Sequence, residues 1–90
     1  MTNNSLVANV SGADAKAIAT KSGTLFGVNF FNSGTDTLTL YDNSTEASGT
    51  ILFYIKGTSG TVTIPNVSFK YGIWAVQTGS SSKASIYYIG

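Results

Sequence analysis

Apolar and polar residues alternate along this chain with a period of two, and no stretch holds the three-to-four spacing of an amphipathic helix. The nearest approach to a helix is Ala13 to Thr20, where good helix formers stand at Ala13, Ala15, Ala17 and Ala19. Their alternation with Asp14, Lys16, Ile18 and Thr20 predicts a strand instead. Thr24 to Asn32 sets Phe26, Val28 and Phe30 on one face and Leu25, Gly27, Asn29 and Phe31 on the other, and Asn32-Ser33-Gly34 ends it with turn residues. Leu38 and Leu40 alternate with Thr37, Thr39 and Tyr41 up to Asp42-Asn43-Ser44. Gly49 to Lys56 opposes Ile51, Phe53 and Ile55 to Leu52 and Tyr54; a strand apolar on both faces is expected at the centre of a sheet, or covered on both sides. Gly57 to Gly60 reads as a hairpin turn. Val62 and Ile64 continue the alternation to Pro65, which lacks an N–H for a ladder and belongs at a strand end or an edge. A short Val67-Ser68-Phe69 segment follows. Gly72 to Thr78 then opposes Ile73, Ala75 and Gln77 to Trp74 and Val76, and Ala84 to Ile89 opposes Ile86 and Tyr88 to Tyr87 and Ile89.

About eight strands at roughly ten-residue spacing predict an all-β fold: a sandwich, a jelly roll or a small barrel. The expectation taken forward is an antiparallel β-sandwich of about eight short strands, jelly-roll-like, as one domain over 1–90 with residues 1–5 as a polar N-terminal arm. Surface scaling lets a domain of this size bury only about 60–65 % of the area its unfolded chain exposes. With no cysteine there is no disulfide to add support, so association with copies of itself or with a larger body is the expected remedy.

Composition narrows the chemistry. His, Cys and Arg are absent, charged residues are 10 % of the chain, and the net charge is +1. Lys16, Lys21, Lys56, Lys70 and Lys83 are dispersed, where a binder of phosphate backbones clusters its cations, so no nucleic-acid partner is expected. The first residues lack the basic and apolar regions of a secretory signal, and no apolar run approaches the ~20 residues that span a bilayer. Synthesis in a cytoplasm, with no membrane partner, is the expectation. Ser, Thr, Asn and Gly make up nearly half of the chain, and low charge beside many β-branched residues favours edge-to-edge association.

Candidate sites are few. The acids are Asp14, Asp36, Asp42 and Glu46, of which Asp42 and Glu46 share one loop and could flank a glycosidic bond; turn formation by Asp42 and Asn43 on their own backbone is the preferred reading. That loop lacks the spacing of a calcium-binding loop. Hydroxyls have no histidine to activate them, and Ser82 beside Lys83 would point to the opposite face of a strand. No catalytic, cofactor-binding or metal-ligating residue is assigned, and the chain is not expected to be an enzyme. The aromatic residues carry the remaining signal. Phe26, Phe30 and Phe53 are expected in the core by their period. Tyr41, Tyr54, Tyr71, Trp74 and Tyr87 are candidates for an outward interface, because Tyr and Trp bury much area while their polar tips still bond.

The order of motifs resembles a family. Ser22 to Gly34, Thr37-Leu38-Thr39-Leu40-Tyr41-Asp42-Asn43, Gly49 to Phe53, and Tyr71 to Gly79 before Ile86-Tyr87-Tyr88 together look like the small all-β structural proteins of tailed bacteriophages. The resemblance covers roughly Ser22 to Tyr88. It implies a virion component: a capsid decoration (cement) protein on the capsid surface, or a domain of a tail or fibre. It further implies the major capsid protein and copies of itself as partners, as a homotrimer, and an arm before Ser22 laid on the capsid. The rival reading is a carbohydrate-binding module in which Trp74 and Tyr71 stack on a glycan.

Overall fold

A computed structural model of the chain describes residues 5–31, 36–57 and 60–90, with Ser5 and 60–66 described by backbone alone. The strands are β1 (Ser5–Ser11), β2 (Asp14–Ala19), β3 (Gly23–Phe31), β4 (Thr37–Tyr41), β5 (Ile51–Lys56), β6 (Gly60–Phe69), β7 (Ile73–Gln77) and β8 (Lys83–Ile89). No helix occurs among the described residues. The fold is all-β and sandwich-like. One four-stranded sheet has the order β1-β8-β3-β6, the other β2-β7-β4-β5. All pairings are antiparallel, and they nest: β1 with β8, β2 with β7, β3 with β6, β4 with β5. The first half of the chain is thus laid against the second as one long hairpin, folded so that successive pairs fall in alternate sheets, with β3–β8 and β4–β7 closing each sheet.

One apolar layer joins the two sheets. Val10, Leu25, Val28, Phe30, Phe69, Ala84 and Ile86 from the first sheet pack in one cluster with Ala19, Leu38, Leu40, Ile73 and Ala75 from the second. Their alternation along each strand is what a sheet with one buried face requires. β2 and β1 lie along the same open side, where Lys16 Nζ donates to Asn9 O at 2.9 Å. At one end the buried Gln77 carboxamide donates through Nε2 toward Gly12 O (2.8 Å), Ser82 O (3.1 Å) and Val10 O (3.3 Å).

Several expectations change. Phe26 does not enter the core with Phe30. The register of β3 against β8 shifts between Leu25 and Gly27, so Phe26 is an extra residue, and a one-residue bulge reverses which face every residue beyond it takes. Leu25, Val28 and Phe30 therefore all point inward and are fully buried, while Phe26 lies outside against Tyr87, ring centroids 6.4 Å apart. Phe53 is only partly buried, because its strand closes the side of the second sheet. That is the second correction: β5, apolar on both faces, is an edge strand and not a central one. Ser5–Ser11, read as part of a lead or arm, is a strand paired along its whole length with β8. The two short segments around Pro65 are one strand, β6; it lies at a sheet edge, where the missing N–H is tolerated, and its register against β3 shifts across this stretch. The Asn32-Ser33-Gly34 turn, Thr58 and Ser59 of the hairpin turn, and residues 1–4 of the arm lie outside the described residues.

Candidate functional site

Register determines which side chains share the outer face of the second sheet. Ile73, Ala75 and Gln77 of β7 are buried, so Trp74 and Val76 point out. Leu38 and Leu40 of β4 are buried, so Thr39 and Tyr41 point out. On β2, Ala15 and Ala17 oppose Val76 and Trp74; on β5, Tyr54 and Ile51 oppose Thr39 and Tyr41. A shift at Leu52 keeps Ile51 and Tyr54 on the same face although they stand three apart. Two rows cross the sheet as a result: Ala17, Trp74, Tyr41, Ile51, and beside it Ala15, Val76, Thr39, Tyr54. Neither row holds a charge. Thr39 is buried there by its neighbours, whereas Ile51 and Tyr54 are 54 % and 55 % exposed.

Of the five aromatic interface candidates, the fold brings three together. Tyr41 lies directly opposite Trp74, and Tyr54 lies in the adjoining row of the same face. Tyr71 stands in the turn before β7, 57 % exposed, with Lys70 Nζ 5.3 Å from its ring centre. Tyr87 is on the outer face of the first sheet, part-buried over Gly27 and beside Phe26. What the aromatic count alone did not reveal is the aliphatic part of the face: Ile51, Val76, Ala15 and Ala17 join the aromatic residues only through cross-strand register.

The acidic loop holds its own structure. The Asp42 carboxylate accepts N–H donors from Lys70 at 3.0 Å and Tyr71 at 2.8 Å, tying the β4–β5 loop to the start of β7. Asn43, not Asp42, bonds the local backbone: its Oδ1 accepts from Thr45 N at 2.9 Å and Glu46 N at 3.2 Å. The Glu46 carboxylate accepts from Ser48 Oγ at 2.9 Å. Among the described residues no group of three acids could hold a metal ion. Gly72, with φ of 146°, brings the backbone so close to β2 that a Cβ there would strike Ala19 O; this contact seats β7 beside β2 and so helps position Trp74.

Compared with known proteins, the chain matches no family model, no curated protein and no solved structure.

Proposed function

We propose that the chain is a structural component of a virion, a capsid decoration (cement) protein that binds the outer surface of the capsid as an oligomer and stabilises the shell. The observation that carries this reading is the pair of uncharged rows on the outer face of the second sheet, bordered by Lys56, where Trp74, Tyr41, Ile51, Val76 and Tyr54 form one apolar surface. Contiguous exposed apolar area is characteristic of interaction sites, and Trp and Tyr at its centre are the residue types that carry most binding energy. The major capsid protein is the partner. In topology we read the nested pairing as a jelly roll, an architecture shared by capsid and lectin domains, which supports a virion part without singling it out. Each bound copy would bridge capsid subunits, and stabilisation would grow with occupancy by mass action. The test compares particles assembled with and without the protein. Complete particles are expected to survive heating that opens bare ones, and equal survival would end the cementing role.

A second reading, a carbohydrate-binding or tail-fibre module, is favoured by one observation: Tyr41 and Trp74 are directly opposed on a sheet face, a platform on which a sugar ring can stack. A glycan array probed with the protein and with Trp74→Ala separates the two. Glycan binding lost in the variant supports this module, and an empty array removes it.

A further inference from the structure

β5 has the sequence of a central strand and the position of an edge. Ile51, Leu52, Phe53, Tyr54 and Ile55 are consecutive and apolar, yet β5 pairs with β4 alone. Two of the other three edges carry features that oppose a further strand, and the third lies against its neighbour. β2 carries Lys16 and an irregular register at Ile18. β1 lies against β2, where Lys16 Nζ reaches Asn9 O. β6 carries Pro65. Inward-pointing charges, bulges and prolines are the devices by which natural sheets block edge pairing. β5 has no proline and no charge before Lys56, and its own irregularity, at Leu52, lies toward its start and leaves Phe53, Tyr54 and Ile55 in regular register. An apolar run of this kind with one side of its backbone open is a template for another strand.

We infer that β5 of a second copy of this chain occupies that edge, antiparallel across a two-fold axis, so that two copies form one continuous eight-stranded sheet. The chemistry of the added strand selects the occupant. Side chains of a strand placed here fall alternately on the apolar outer face and beside the core, so it must be apolar on both sides, as β5 itself is. Directly opposed residues of an antiparallel pair point to the same face. Setting Tyr54 opposite Tyr54 therefore keeps both outer faces on one side and brings Phe53 against Ile55 on the core side. The two Lys56 residues then lie about 14 Å apart along the pair, beyond the ~8–10 Å over which salt leaves charges visible; a parallel pairing would set them side by side. Four strands by about five residues give one copy a face of only ~300 Å², below the ~800 Å² per partner of a stable interface. Edge pairing adds main-chain hydrogen bonds and doubles the apolar face into one platform. The inference rests on the oligomer in the reading above and not on the capsid, and it makes the unit two chains in place of the homotrimer that the resemblance implies.

The chain has no cysteine, so Tyr54→Cys creates a single thiol. Opposed residues of an antiparallel pair, ~4.5–5.5 Å apart at Cα, fall within the ~4.4–6.8 Å a disulfide spans. Oxidation of the purified full chain is expected to link most Tyr54→Cys molecules into covalent dimers. Lys21→Cys and Thr45→Cys, exposed elsewhere, should stay mostly unlinked at the same concentration. Light scattering should give two chains for the unmodified protein. Tyr54→Lys, which opposes two like charges, should give one chain with an unchanged circular dichroism spectrum. A one-chain or three-chain mass for the unmodified protein overturns the inference, as does Tyr54→Cys linking no faster than Thr45→Cys. Linking that occurs only when capsid protein is added assigns the edge to a capsid strand and overturns it too. Dimers that form normally but leave the capsid unbound refute the cementing role alone.

Discussion

The two sheets share a core but present different outer faces. On the first sheet one row sets Val7 opposite Tyr87, which packs on Phe26, but the next row is Asn9, Ser85 and Asn29, with Ser85 Oγ donating to Asn9 Oδ1 at 2.8 Å, and the row beyond sets Lys83 beside Phe31. On the second sheet the rows through Trp74 and Val76 are apolar from β2 to β5 apart from Thr39. An antiparallel sheet covered on one side is expected to be polar on the other. The first sheet departs from this rule at Val7, Tyr87 and Phe26 and returns to it in the next row, whereas the second departs from it in two adjacent rows, which makes the second the better candidate for a covered face. The contrast also bears on stability: a domain with one thin apolar layer and no disulfide gains most from covering the face it leaves apolar.

The strongest way to break this contrast is to test the assignment of inside and outside at the β3 bulge. Phe30→Ala is expected to cost about 3–5 kcal/mol in urea unfolding, the usual loss for a fully buried Phe, and Phe26→Ala distinctly less. Equal losses would mean that Phe26 is a core residue and that the faces are misassigned. Next in size is Trp74→Lys, a charge placed in the middle of the apolar face. On the cementing proposal it should weaken capsid binding by at least about 2 kcal/mol, roughly 30-fold in a sedimentation assay, while the matching change in the polar row of the first sheet, Ser85→Lys, leaves binding within a few-fold. Similar losses from both would erase the distinction between the faces. Gly72→Ala should cost roughly 1–3 kcal/mol of thermal stability, since the new methyl group strains a left-handed backbone and strikes Ala19 O. The smallest expected effect is that of Gln77→Leu, about 1 kcal/mol. It removes the Nε2 donor from Val10 O, Gly12 O and Ser82 O, of which Ser82 O keeps the Gly12 N–H at 2.8 Å, and it does so on the core side, so oligomer mass should stay as in the unmodified protein.

Most strands could be read from the chain because a period of two is a local property. Trp74 and Val76 opposite Ile73, Ala75 and Gln77, or Tyr41 opposite Leu40, need only the alternation of neighbours, and the structure keeps those faces. β1 was missed because its apolar residues, Leu6, Val7, Ala8 and Val10, are interrupted and small, and its pairing with β8 joins opposite ends of the chain. Of the candidate site, the sequence pointed to Tyr41, Tyr54 and Trp74 by residue type. It could not show that they meet, nor that Tyr71 and Tyr87 lie elsewhere, because the meeting depends on β4 lying between β7 and β5.

The sequence by itself therefore determined an all-β chain, its approximate strands and the absence of His, Cys and Arg chemistry, all of which follow from residue type and nearest-neighbour alternation. Only the tertiary structure decided that Phe26 turns outward, that β5 closes an edge, and that two uncharged rows cross the outer face of the second sheet. The physical reason is that one extra residue in a strand reverses the facing of all that follow, and that sheet order is set by pairings between distant parts of the chain, neither of which leaves a periodic trace.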